Sequence, residues 1–281
     1  HSQSEEFNQW QNNFKTTHNV DFVLFWNNRN IRRKAPADLI LAYNTFCESL
    51  TPEQSSKCAL LMHTQISDDN GTDLMAVKNA LCPEYKIIFS GKAVETKQMN
   101  YYYNLADVTI NIASNEGFGI SWCESLHVGT PIINNVTGGL QDGCRFEDEN
   151  GKWIEFTTEF PTNHDGTYKK HGEWVYPVYP SNRSIQGSPM TPYIFDDRAD
   201  FRDVAKGILY WYNMSKDDRQ SKGQAGLDWV QGNESNMSAI GMSKRMSESI
   251  DSCFEQWTPR KRFTQYKINQ VTQIENTGVI S

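Results

Sequence analysis

No stretch of the sequence approaches the roughly 18 apolar residues needed to cross a bilayer, and the polar first residues lack the apolar segment of a signal peptide. The expectation is a soluble, cytoplasmic protein. Its six cysteines (Cys47, Cys58, Cys82, Cys123, Cys144, Cys253) include no C-x-x-C pair, so spacing signals neither a zinc site nor a disulfide framework. Reduced, mostly buried thiols are expected. Positive charge is also short: 27 Lys and Arg against 34 Asp and Glu leave a formal net charge of −7, which argues against a nucleic-acid-coating surface or an anionic membrane partner. Internal repeats and low-complexity tracts are absent. The "GISWC" around Ser121 lacks the G-x-S-x-G elbow of serine hydrolases.

What is present is an alternation of short apolar runs with amphipathic stretches, the pattern of a parallel sheet covered by helices. Strands are expected at 21–26, 58–64, 85–90, 107–113 and 130–135, with helices at about 37–50, 71–81, 96–106 and 119–128. Five strands with intervening helices make a doubly wound, Rossmann-like α/β core over residues 21–145, behind a lead-in of residues 1–20. Residues 146–200, rich in Pro, Gly and aromatics, read as a structured insertion, and such long insertions usually carry function or an interface. Helices return over 201–260 and are expected to pack on the core, with a tail at 261–281.

In a doubly wound sheet, ligands bind outside the carboxyl ends of the strands, where the loops converge. Three such loops carry suggestive residues. The loop after the first strand, "NNRNIRRK", holds Arg29, Arg32, Arg33 and Lys34; taken alone it is an ordinary solvated face, but at a strand's carboxyl end it can neutralise a diphosphate. The loop after the fourth strand holds Glu116, Gly117, Phe118 and Gly119 directly before a helix, where glycines let an anionic ligand approach unpaired backbone N–H groups. Glu124 follows eight residues after Glu116, so two carboxylates can meet the hydroxyls of one sugar nucleotide at two points. The loop after the fifth strand holds Thr137, Gly138 and Gly139. His63 at the second strand's end reads as a structural residue. His164, His171, Glu173, Asp196 and Asp197 lie in the insertion without the helical H-x-x-x-H spacing of a metal site, and Arg183 is its most suspicious basic residue.

Together "NRNIRRKAPADLILAY", "YYYNLADVTINIASNEGFGISWCESLHVGTPII" and "NVTGGLQD" resemble the donor-binding C-terminal domain of family 4 retaining glycosyltransferases of the GT-B fold, over roughly residues 20 to 142. The resemblance implies transfer of a hexose from a UDP- or GDP-linked donor to an acceptor hydroxyl, with retention and without a metal or other cofactor. It implies that Arg29 and Lys34 hold the donor diphosphate and stabilise its departure. Glu116 would contact the transferred sugar and Glu124 the ribose. Gly117, Phe118 and Gly119 would face the sugar and phosphate, and Thr137, Gly138 and Gly139 would close the diphosphate pocket.

The chain departs from that family in two places. Where the family continues the Gly-Gly loop with Glu, this sequence has Gln141-Asp142. Only about 20 residues precede the first strand, so the family's N-terminal acceptor-binding domain is expected to be absent from this chain. Either the chain belongs to a longer protein, or a separate domain or chain supplies that half, or residues 145–281 replace it. The implied partners are a nucleotide sugar and an acceptor glycan, lipid or protein, with nucleic acid unlikely. The alternative is a non-catalytic nucleotide-sugar-binding or assembly module.

Overall fold

The computed structural model describes residues 4–154 and 166–260, so His164 and the 261–281 tail lie outside the described residues. The elements in chain order are α1 (Glu5–His18), β1 (Phe22–Asn27), a 3-10 turn at Arg32–Lys34, α2 (Pro36–Glu48), α3 (Pro52–Ser56), β2 (Cys58–His63), α4 (Leu74–Leu81) and β3 (Ile87–Ser90). There follow α5 (Thr96–Leu105), β4 (Val108–Asn111), α6 (Ile120–Leu126), β5 (Ile132–Asn135), α7 (Leu140–Cys144), β6 (Val175–Val178), β7 (Asn182–Ser188), β8 (Thr191–Arg198), α8 (Phe201–Asn213), α9 (Lys216–Gln231) and α10 (Ala239–Gln256). Residues 1–238 form one compact unit, and 239–281, with α10, a second.

The main sheet is parallel, in the order β3-β2-β1-β4-β5-β6. It has six strands rather than the five expected, because Val175–Val178, inside the stretch read as an insertion, pairs with β5 at the edge. "VYPV" escaped notice because its proline and flanking Gly and Trp look like loop; Pro fits here on an edge strand, where its missing N–H costs no ladder bond. The lead-in is likewise a helix: the Ser4 hydroxyl accepts from the Phe7 N–H, and Phe7 buries its ring 5.2 Å from that of Tyr101.

Both faces of the sheet are covered, which explains the continuous apolar runs. The two-residue strand period sends Phe22, Leu24 and Trp26 of β1, with Leu60 and Met62 of β2, into a core shared with α2 and α8. Val23, Phe25, Ala59 and Leu61 point to the other face, against Tyr103 and Leu105 of α5. A third cluster joins Trp122, Trp174 and Trp229 beneath α6, α7 and α9. Each such fully buried apolar side chain contributes about 1.5–3 kcal/mol. Five cysteines are buried and unpaired, and Cys253 is exposed. Among the described residues no helix is long and apolar enough to cross a membrane.

Candidate functional site

The basic loop after β1 is held by a polar clamp. Asn30 is completely buried, and its amide donates to the Ile66 and Thr72 carbonyls at 3.2 and 2.6 Å. The Arg32 N–H donates to the Asn70 carbonyl, which ties the turn to the loop after β2. Ala35 then adopts a left-handed φ of 50°, and Pro36 opens α2 with its fixed φ. This reversal turns Lys34 inward.

Two cations meet on one carboxylate. Lys34 Nζ lies 2.6 Å and Arg33 Nη1 2.5 Å from Glu116 Oε2, and Arg33 Nη1 also donates to the Asn115 carbonyl at 3.0 Å. The Lys34 and Glu116 side chains are only 8% and 12% exposed. Burial pulls the Lys34 ammonium down from its ordinary pKa, and the hydrogen bond it donates to Glu116 opposes that fall. Arg29 stands apart: its guanidinium is 61% exposed and engages Asp68 at 2.8 Å. Of the basic pair read from the sequence, then, Lys34 is at Glu116 and Arg29 is not; Arg33 is there instead. The clamp at Asn30 separates Arg29 from the Arg32–Lys34 turn, and the left-handed Ala35 closes that turn with Lys34 inward.

The two glycine loops abut backbone to backbone. The Gly139 N–H donates to the Glu116 carbonyl at 2.9 Å. Gly138 has φ +47°, and a Cβ there would run into the Glu116 carbonyl oxygen. Gly119 has φ +83°, with Leu140 against the place a side chain would take. Gly117 and Phe118 are exposed and Gly119 is buried. Glycine is required here for close approach of the two loops, whatever ligand they meet.

Glu124 lies on α6 and accepts from the Tyr103 hydroxyl at 2.6 Å, while Asn27 at the carboxyl end of β1 donates to that same hydroxyl at 3.0 Å. Burial beside Glu124 pushes the Tyr103 phenol well above its ordinary pKa, so it stays a proton donor. Neither Tyr103 nor Asn27 was singled out from the sequence; the only signal was their position at strand and helix ends facing the same loops. His63 sits 3.0 Å from Ser90 Oγ, which is 3.1 Å from the Tyr102 hydroxyl, and burial lowers its pKa.

The β7–β8 hairpin is bolted across the carboxyl ends of β4 and β5. The Asp197 N–H donates to the Ser114 carbonyl at 2.8 Å, and Asn135 donates to the Asp197 carbonyl at 2.7 Å. The Asp197 carboxylate accepts from Thr137 Oγ1 and Arg183 Nε, each at 2.8 Å. Asp196 Oδ1 accepts from Ser114 Oγ and Asn115 Nδ2. Thr137, read as part of a phosphate loop, therefore spends its hydroxyl on the hairpin, and Arg183 is an anchor with its guanidinium over the Phe195 ring. Asp196 and Asp197 are thereby separated in role from His171, which bonds the Gly172 carbonyl, and from Glu173, which pairs with Lys222. Among the described residues no group of three or more His, Cys, Asp or Glu is placed to hold a metal ion. Ser121 is buried and accepts from Asn111 at 3.2 Å.

No protein-family model and no curated protein sequence matches the chain. Solved structures do. A glycosyltransferase from Rickettsia africae is similar over 90% of this chain and 53% of its own, at 15% identity and a TM-score of 0.60. Sucrose-phosphate synthase from Thermosynechococcus elongatus is similar over 86% of this chain and 48% of its own, at 19% identity and a TM-score of 0.56. Anabaena HepE, solved in complex with UDP, is similar over 89% of this chain and 53% of its own, at 13% identity and a TM-score of 0.59. The chain thus has the Rossmann-like fold found in GT-B glycosyltransferases, as its motifs implied, and it spans about half the length of these structures. Likeness at such identities establishes the fold and leaves the chemistry to be argued from the side chains.

Proposed function

We propose that the chain is the donor-binding half of a retaining, metal-independent glycosyltransferase that moves a hexose from a UDP- or GDP-linked donor to an acceptor hydroxyl. The observation that carries this reading is the meeting of Lys34 and Arg33 on Glu116 beside two abutting glycine loops, at the carboxyl ends of β1, β4 and β5. It is supported by the fold shared with HepE, which has been solved with UDP and with UDP-glucose.

In this reading Lys34 is the main cation for the donor diphosphate. A buried ammonium in a site of low dielectric stabilises the charge that develops on the leaving phosphate without reorganising water. Arg33 shares that role, and Arg29, whose own guanidinium is open to solvent, reaches the phosphates by giving up its pairing with Asp68. Glu116 leaves the cations to accept from a hydroxyl of the transferred sugar. Gly117, Phe118 and Gly119 face the sugar and phosphate, and Gly138 and Gly139 close the loop over the diphosphate beside Thr137. Glu124, oriented by Tyr103, accepts from the ribose hydroxyls.

The test is a thermal-shift titration of the chain with UDP-, GDP- and ADP-linked hexoses. One of them should raise the midpoint by mass action, stabilising by about 2.7 kcal/mol at a hundred times its Kd. Lys34→Ala and Glu124→Ala should each remove the shift. Failure of all three nucleotide sugars to bind refutes the reading.

A further inference from the structure

One helix leaves its apolar side open. α10 (Ala239–Gln256) carries Met246, Ile250 and Phe254 at 63%, 48% and 79% exposure, and Trp257 directly after it is 68% exposed. Single exposed apolar residues are ordinary, but a continuous stripe of large ones marks an interaction surface. We propose that α10 is a self-association surface, and that its partner is α10 of a second copy of this chain, packed antiparallel. The inference goes beyond the donor reading and does not depend on it.

Spacing defines a seam on this helix. Ala239, Ser243, Met246, Ile250, Cys253 and Trp257 recur at alternating intervals of four and three residues, the period of a helix that packs lengthwise against another. Ile240, Met242 and Phe254 border that seam, and all three are exposed. Lys244, Glu248, Asp251 and Glu255 fall on the opposite side. The seam and its borders therefore carry no charge, and nothing polar larger than Ser or Gln interrupts them.

Size and charge choose the partner and its direction. The small residues of the seam, Ala239 and Ser243, lie at its start; bulky Trp257 lies at its end, with Phe254 beside it. Two antiparallel copies about a two-fold axis at the level of Glu248 set Met246 against Ile250, Ser243 against Cys253 and Ala239 against Trp257, each contact made twice. Large side chains then fill the space that small ones leave. Parallel copies would instead stack Trp257 on Trp257 and leave Ala239 and Ser243 facing their own counterparts across a gap. Charge agrees with size. Lys244 and Arg245 stand in the first half of α10, and Glu248, Asp251 and Glu255 in the second. That order opposes the helix's own dipole, but an antiparallel neighbour brings its acidic half alongside the basic half, where a parallel one would bring like charges together. Two positive and three negative charges leave −1, so the polar side gives no pull toward an anionic membrane.

The experiment is sedimentation velocity of the full 281-residue chain between about 1 and about 300 µM. An 18-residue helix is about 27 Å long, so the pair buries an area at the small end of specific interfaces, and dimer should appear toward the upper concentrations. Ile250→Glu should weaken dimerisation about tenfold or more, with an unchanged thermal midpoint in dilute solution because the residue is exposed. With oxidised glutathione, Ser243→Cys should yield a disulfide-linked dimer through Cys253 of the second copy, and adding Cys253→Ser should abolish it. Within one helix these two positions are about 15 Å apart, too far to bridge. Native Cys253 should react fast with a thiol reagent in the dilute monomer and more slowly where dimer forms. A monomer at every concentration overturns the proposal, as does a dimer indifferent to Ile250→Glu. Cross-linking of the native chain through Cys253 as readily as that of Ser243→Cys overturns the antiparallel pairing. Co-sedimentation of monomer with phosphatidylcholine–phosphatidylserine vesicles, lost in Ile250→Glu, assigns the stripe to a lipid surface and overturns self-association.

Discussion

The pairing of Lys34 with Glu116 makes a quantitative prediction about a double-mutant cycle. Lys34 Nζ lies 2.6 Å from Glu116 Oε2, and both side chains are close to nine-tenths buried. Removing one partner of a buried pair strands the other charge, at a cost of about 3–5 kcal/mol when nothing else compensates it. The two single variants differ, however. Lys34→Met leaves Glu116 with Arg33 at 2.5 Å, so its cost should fall to about 1–3 kcal/mol. Glu116→Gln leaves Lys34 with no carboxylate and should cost about 3 kcal/mol or more. Combining them removes both charges, and the coupling energy should be about 2–3 kcal/mol. Urea denaturation of the four proteins measures it.

A pH series adds a second readout. The Lys34 pKa is already depressed by burial, so the unfolded chain binds its proton more tightly than the folded one. Stability governed by this group therefore rises with pH through the window between the folded and unfolded pKa values. In Glu116→Gln the opposing hydrogen bond is gone, the window widens, and the variant should regain stability as pH rises toward the ordinary lysine range. A coupling energy below about 0.5 kcal/mol, or a Glu116→Gln variant whose stability is flat above neutral pH, would refute the buried pair as the element that organises the site.

Other outcomes follow from the same geometry. Tyr103→Phe removes the hydroxyl that donates to Glu124 and should destabilise by about 1.5–3 kcal/mol in urea, while weakening nucleotide-sugar binding in the thermal-shift assay. Gly138→Ala forces a side chain into the Glu116 carbonyl at a positive φ; a loss smaller than about 1 kcal/mol would mean that the two loops separate readily. Burial pushes the Asp142 carboxyl up to about 6, so its contribution to stability is present below the ordinary carboxylate range and lost as pH rises through 6. Asp142→Asn should accordingly gain about 1–3 kcal/mol at pH 8 and much less at pH 4, by urea melts at the two pH values. The native chain should show one fast-reacting thiol with an aromatic disulfide reagent, at Cys253, since burial raises Cys58 to about 12 and Cys82 and Cys123 to about 11.

Much of this protein was legible along the chain because period and punctuation are local properties. The apolar runs of β1 and β2 alternate between two cores, and a run apolar at every position is what a strand covered on both faces must be. "EGFG" and "TGG" were readable for a similar reason: glycines at strand ends mark backbone that must come close to something. What no local pattern contains is the identity of that something. Gly138 and Gly139 meet the backbone of Glu116 and Gly117, across a sheet, as well as any ligand. Likewise Arg29 and Arg33 are indistinguishable cations in "NNRNIRRK", and only the left-handed Ala35 and the clamp at Asn30 send one to Asp68 and the other to Glu116. "VYPV" and the hairpin were hidden because their partners, β5 and the ends of β4 and β5, lie far away in sequence. The sequence by itself determined the doubly wound sheet and the loops that face its carboxyl edge, since those depend on short-range periodicity. Tertiary structure alone decided which charges pair, which hydroxyls are spent, and that a hairpin is fastened across the carboxyl ends of β4 and β5, because each depends on groups brought together from distant parts of the chain.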